Sequence, residues 1–177
     1  MKFKETSVKG CFLIEAEPRI DERGIFRRHF CTEEFKSHGI TPVVKQGNIT
    51  ESTYKYTLRG FHYQKAPHEE GKTISCIRGA VYDIVVDLRK QSKTYLKWEG
   101  FTLSDESRTS LHVPPGCAHA YLTLEPNSVV HYYVSESYHS ESERGIRYND
   151  PFFKFKWSHE PEHISEKDNS FPDYQES

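Results

Sequence analysis

Short apolar or alternating segments, spaced at near-regular intervals and separated by turn residues, constrain this 177-residue chain more than any other feature. Cys11 to Ala16, Val43 to Thr50, Thr57 to Tyr63, Thr73 to Ile77 and Ala80 to Leu88 read as strands, as do Trp98 to Leu103, Ser110 to Val113, Ala118 to Leu124 and Val129 to Ser135. Most are rich in Val, Ile, Tyr, Phe and Thr, the residues that suit a pleated surface. Val43 to Thr50 is interrupted by Gly47 and Asn48, which suggests a bulge there. One segment, Thr32 to His38, reads as a helix, with Thr32 as N-cap, acids in the first turn and Gly39 as its stop. So many short strands with so little helix predict an all-β sandwich or barrel.

The length suits one domain spanning residues 1–177. Beyond Tyr138 the alternation fades, and the tail from about Asn149 is expected to wrap the barrel rather than add strands. Mean hydropathy is low at −0.78, but an aromatic fraction of 14% supplies the large side chains that a compact core needs. A formal net charge of −2 gives no basic excess, so no nucleic-acid partner is expected. Cys11, Cys31, Cys76 and Cys117 are widely spaced with no CxxC, which argues against a zinc ribbon and a short-loop disulfide scaffold. The apolar patch Gly10-Cys11-Phe12-Leu13-Ile14 is too short for a signal-peptide core, and no segment is long enough to span a bilayer. The expectation is a reduced, cytoplasmic protein without a membrane partner.

Several residue types invite a chemical reading. In Leu58-Arg59-Gly60-Phe61-His62-Tyr63-Gln64, strict alternation sets His62 with Leu58 and Gly60, and Arg59 on the opposite face. A site using both Arg59 and His62 therefore needs a bulge or sharp twist, for which Gly60 is the natural position. A hydrogen-bonded core histidine is the alternative. Lys72 opens the next strand, either as a solvated end or, pointing inward, as a cation for a developing oxyanion. Tyr132 shares a strand face with Val130 and Val134, as a core tyrosine or as a phenol placed to donate a proton. Asp168 lies in Ile164-Ser165-Glu166-Lys167-Asp168, one carboxylate among many in the tail.

Pro114-Pro115-Gly116-Cys117-Ala118-His119 fits the PxGxxH pattern of the second cupin motif, in which the histidine begins an inward-facing strand. The first metal motif of that fold needs HxH followed by a carboxylate. Here His62 is followed by Tyr63 and Gln64, with His68 and Glu69 only later, so metal is not expected at this pair of strands.

Taken in order and spacing, these segments resemble the dTDP-4-dehydrorhamnose 3,5-epimerase family, from about Gly10 to Pro172. The resemblance rests on Asp21-Glu22-Arg23-Gly24, the Leu58 to Gln64 run, Gly71-Lys72, Val86-Asp87-Leu88-Arg89, Pro115 to His119, Asn149-Asp150-Pro151 and Ser165 to Asp168. It implies an all-β, cupin-type jelly-roll barrel with short flanking helices, a homodimer, a nucleotide-sugar substrate, and neither metal nor other cofactor. It also implies roles: His62 as general base, Asp168 as its orienting partner, Lys72 on the enolate and Tyr132 as the acid on the opposite sugar face. Arg59 and His119 would lie near the diphosphate, Arg23 and Phe26 would reach the neighbouring subunit's nucleotide site, and Gln46 and Tyr138 would help hold the base. Two departures stand out. Arg27-Arg28 occupies the place where the family usually has a glutamate thought to help hold the nucleobase, and Arg19 stands where an aromatic is common. They leave the nucleotide, the sugar and the choice of C3, C5 or both open.

The chemistry accounts for these residue types. A C–H beside a ketone is weakly acidic, and histidine is a base matched to neutral pH. A carboxylate fixes its tautomer, a cation receives the enolate charge, and inversion needs a second proton source on the other face. A sugar-nucleotide ketoisomerase or a metal-dependent cupin enzyme is the alternative on the same barrel.

Overall fold

The computed structural model describes residues 1–176. An N-terminal arm carries β1 (Lys2–Glu5), β2 (Phe12–Glu15), the two-stranded hairpin β3 (Arg19–Asp21) and β4 (Gly24–Phe26), and α1 (Thr32–Ser37). Eight longer strands follow: β5 (Gln46–Ser52), β6 (Thr57–Gln64), β7 (Lys72–Arg78), β8 (Ala80–Asp87), β9 (Trp98–Ser104), β10 (Thr109–Val113), β11 (Cys117–Thr123) and β12 (Ser128–Val134). The C-terminal part adds β13 (Glu143–Gly145), β14 (His163–Ile164) and α2 (Glu166–Asn169).

Two sheets form, in the orders β1-β2-β10-β7-β12-β5 and β13-β6-β11-β8-β9, with β14 joined in parallel to β6. The eight long strands pair as nested hairpins. β8 meets β9, β7 meets β10, β6 meets β11 and β5 meets β12, all antiparallel. Successive pairs fall on alternate sheets, which is the winding of a jelly roll, and the all-β barrel is as expected. The nesting puts residues 60 to 80 positions apart side by side, as with Thr50 and Val130.

Period-two alternation sorts side chains into three packed layers. Ile74, Cys76, Val81, Val85, Leu103, Leu111, Val113, Tyr121 and Val130 meet between the sheets. Phe35 and Ile40, around α1, cover Ile14 of the first sheet with Phe3, Phe12 and Phe30. The tail covers the second sheet, where Phe153, Phe155, Trp157 and Tyr174 pack over Phe61, Ile84, Val86, Ala118 and Ala120. Small residues on β11 let the tail aromatics approach closely. All four cysteines are free thiols, and burial pushes Cys11 up to about 12 and Cys76 up to about 11. Among the described residues no helix is long and apolar enough to cross a membrane.

Four expectations need correction. The N-cap of α1 is Cys31, without a side-chain cap, and Thr32 is the first helical residue; Gly39 does end the turn, with φ +74°. β5 begins at Gln46 rather than Val43, and it pairs with β12 in unbroken register through Gly47 and Asn48. The irregularity of this sheet lies instead on β7, where Arg78 and Cys76 oppose the consecutive Val129 and Val130. The tail does contribute strand, through the short β14. β1, the β3–β4 hairpin and β13 are too short and polar to stand out from the surrounding loops.

Asp87 ends β8 and organises the turn toward β9. Its side chain is fully buried and accepts from the Arg89 amide at 3.0 Å, Arg89 Nε at 2.8 Å, Ser92 Oγ at 2.6 Å and Thr94 Oγ1 at 2.6 Å. Burial alone would lift this carboxyl, but these donors outweigh it and pull it down to about 2. A depressed folded-state pKa contributes stability that is complete above the unfolded value and vanishes as pH falls through the folded one. Asp87→Asn is therefore expected to cost about 2 kcal/mol at neutral pH. Urea denaturation across pH should show the difference from the parent shrinking between about pH 4 and pH 2.

Candidate active site

A cavity of about 620 Å³ opens between the sheets. β6 supplies Leu58, Arg59 and His62, β7 supplies Lys72, β11 supplies His119 and Tyr121, β12 supplies Tyr132, and the tail closes one side with Ile164, Ser165 and Asp168. Residues spread over more than a hundred positions thus share one space.

The presence of both Arg59 and His62 in this cavity depends on a bulge. On β11 the consecutive His119 and Ala120 oppose His62 and Gly60 of β6, leaving Phe61 as the extra residue. Phe61 turns away to stack on Phe155, ring centroids 4.3 Å apart, while residues on either side face the cavity. Gly60 has φ +108°, and a Cβ there would sit 2.6 Å from the His119 carbonyl oxygen and 2.9 Å from Ala120 Cα. The strand can take this path only with glycine at 60.

His62 Nε2 and Asp168 Oδ1 are 2.7 Å apart. The other carboxylate oxygen accepts the Gly60 amide at 3.0 Å, so one side chain holds both the bulge and the imidazole. Asp168 is placed by α2, whose N-cap Ser165 accepts the Asp168 amide at 3.1 Å. Burial alone would raise the Asp168 carboxyl, but His62, the Gly60 amide and Ser165 outweigh it and hold it below its ordinary value. The resident carboxylate fixes the tautomer with Nε2–H toward Asp168, which leaves Nδ1 as the basic nitrogen.

Lys72 is buried and donates to Glu70 Oε1 at 2.9 Å and to the His62 carbonyl at 3.3 Å. The second Glu70 oxygen accepts Gln64 Nε2 at 2.9 Å. Tyr132 is half-buried, and its phenol is raised by burial and by the Glu70 charge, against the opposing pull of Arg59. Its hydroxyl therefore stays protonated well into alkaline solution. His119 pairs through Nδ1 with Asp83, 3.2 Å away; Asp83 is fully buried and His119 largely so, with its ring at the cavity wall. Burial draws His119 down and lifts Asp83, each only partly offset by the other, so burial favours their uncharged forms. Arg59 is anchored by Ser52 Oγ at 3.2 Å, and Tyr121 hydroxyl meets Thr50 Oγ1 at 2.6 Å.

Gln46 and Tyr138 line an adjoining pocket of about 300 Å³, which also touches His62, Lys72 and Tyr132. The Gln46 side-chain oxygen accepts the Tyr138 amide at 3.1 Å. Arg23 and Phe26 lie elsewhere, on the projecting β3–β4 hairpin; the Phe26 residue is 67% exposed, and Arg23 is paired with Asp21 at 2.6 Å. Glu70 and Asp83 escaped the sequence reading. Asp83 had a signal, a carboxylate on the same strand face as Val81 and Val85, whereas Glu70 looks like one of two ordinary acids before Gly71.

The model of the dTDP-4-dehydrorhamnose 3,5-epimerase family matches residues 5–176. The chain belongs to this family. It is an isomerase, an epimerase acting on carbohydrates. A dTDP-4-dehydrorhamnose 3,5-epimerase of Methanothermobacter thermautotrophicus is 38% identical over 99% of this chain and 96% of its own. The crystal structure of the Bacillus anthracis enzyme, with TDP and pyrophosphate bound, superposes with a TM-score of 0.94 at 35% identity, covering 98% of this chain and 99% of that one. A 3'-monoepimerase from Streptomyces bikiniensis in complex with dTDP-quinovose has a TM-score of 0.88 at 30% identity, covering 95% and 85%. The fold is that of the cupin-type epimerases, and the family includes enzymes that invert two centres and enzymes that invert one.

The bulge gives a direct test of how the site is built. Gly60→Ala is expected to destabilise the protein by about 2 kcal/mol or more, because an L side chain is strained at this φ and its Cβ overlaps β11. Thermal denaturation should report the loss. A variant that is as stable as the parent would contradict the packing at the bulge.

Proposed function

We propose that this chain epimerises a dTDP-linked 4-keto-6-deoxyhexose beside its ketone, at C3, C5 or both, with His62 as base and Tyr132 as acid. The observation that carries this reading is the shared cavity: His62 and Tyr132 both line it, with Lys72 beside them and Asp168 hydrogen-bonded behind the imidazole.

In the proposed reaction His62 Nδ1 takes the proton from the carbon beside the ketone, and the C–H electron pair moves into an enolate. Lys72, a cation already held in place, meets the developing charge on the ketone oxygen. Asp168, held anionic, steadies the imidazolium and keeps the ring from turning. The Tyr132 hydroxyl then gives its proton to the opposite face of the same carbon, which inverts it, and the phenolate and imidazolium return to their resting forms by proton exchange with solvent. Glu70 serves two groups: it is the counter-ion that keeps Lys72 in place, and its charge helps to keep Tyr132 protonated.

Arg59 and His119 are assigned to the diphosphate, and Gln46 and Tyr138, in the adjoining pocket, to the base. The protein is proposed to work as one domain and as a homodimer, with Arg23 and Phe26 of each hairpin reaching the partner's nucleotide site. The exposure of that hairpin supports this role, since an aromatic 67% exposed in one subunit leaves most of its apolar surface uncovered.

Proton NMR in heavy water with dTDP-4-keto-6-deoxyglucose tests the reading. The parent is expected to incorporate deuterium at C3, C5 or both, with inversion. His62→Ala should lose exchange by about 10²–10⁴-fold. Tyr132→Phe should keep some His62-driven exchange while losing inversion. Absence of exchange in the parent with every nucleotide-linked 4-keto-6-deoxy sugar tried would overturn it. Glu70→Gln should move the alkaline limb of the kcat/KM profile to lower pH, because Tyr132 loses the negative neighbour that favours its protonated form.

A further inference from the structure

A second group of side chains with ligating chemistry lies outside the catalytic cavity. His68 sits on the loop between β6 and β7, and His139 and Glu141 sit on the loop between β12 and β13. Each offers one ligand atom, and these atoms all lie within 4.8 Å of one another. The two imidazoles stack with centroids 3.6 Å apart and planes at 15°, and His139 Nδ1 is 3.4 Å from Glu141 Oε1.

The loops are held together independently of these three side chains. Gln64, buried at the end of β6, donates through Nε2 to the carbonyls of His68 and Ser137, both at 3.0 Å, and accepts the His139 amide at 2.6 Å. The Lys65 amide donates to the Ser142 carbonyl at 2.9 Å, and the amides of Ser142 and Glu143 close a turn on the His139 carbonyl. The backbones that carry the two rings are therefore in place before any ligand arrives. His139 and Glu141 keep side-chain exposures of 32% and 70%, so both can turn to bring their lone pairs onto a common point.

Two imidazoles and one carboxylate form a borderline donor set. It favours zinc, nickel or copper, whereas calcium and magnesium select all-oxygen sites. Three protein ligands leave a position for water, as in open tetrahedral zinc sites.

We propose that His68, His139 and Glu141 form a binding site for one divalent transition-metal ion of the zinc and nickel type. Because Gln64 also holds Glu70, the counter-ion of Lys72, the ion would brace the loop that leads into β7.

The test uses the full chain, free of any polyhistidine tag, titrated with zinc by calorimetry and with cobalt by visible absorption. The expected result is one saturable site, a d–d spectrum without a thiolate charge-transfer band, and a rise in melting temperature with zinc. His68→Asn and His139→Asn should each weaken binding about tenfold or more, and Glu141→Gln less, with circular dichroism verifying the fold of every variant. Absence of saturable binding, a cobalt–thiolate band, or affinity unchanged in the His68→Asn/His139→Asn double variant would overturn the proposal.

Discussion

The Asp168 carboxylate is the point on which the site depends. One oxygen meets the His62 ring and the other takes the amide of Gly60, so a single buried group from the tail fixes the imidazole and caps the bulge that lets His62 face the cavity. Removing it would leave an unpaired amide and an unoriented ring together. The tail is held in turn by aromatic packing on the outer face of β6, β8 and β11, which converts a weakly patterned segment into part of the site.

The jelly roll supplies what an inversion at carbon needs, two walls facing each other across a space. β6 and β11 lie in one sheet and β7 and β12 in the other, so His62 and Tyr132 approach from different sheets. Charge is distributed unevenly across those walls. Asp168 is held as an anion and Lys72 is paired with Glu70, while His119 and Asp83 are pushed toward neutrality by burial. Each cation or anion that the proposed reaction uses has a partner in place, so little reorganisation is required when charge moves.

The long strands were legible because their side chains alternate between core and surface, and because Val, Ile, Tyr and Phe cluster in them. The need for a bulge at Gly60 was legible too, from the conflict between alternation and the joint use of Arg59 and His62. Short polar strands were not: β1 and the β3–β4 hairpin bury too little to leave a pattern. Gly47 and Asn48 misled, because a glycine in a strand signals either a bulge or a neighbouring ring, and here Tyr133 lies over Gly47. Glu70 could not be told from Glu69, since only the position of Lys72 distinguishes them.

By itself the sequence determined an all-β chain of short strands, the family to which it belongs, and the residue types able to move a proton beside a ketone. Those follow from local periodicity and from the order of motifs along the chain. Only the tertiary structure decided that Asp168 also takes the Gly60 amide, that Glu70 meets Lys72, and that His68 and His139 stack. Such meetings depend on which strands nest across the barrel and where the tail folds back, and long-range pairing leaves no periodic trace in the residues it brings together.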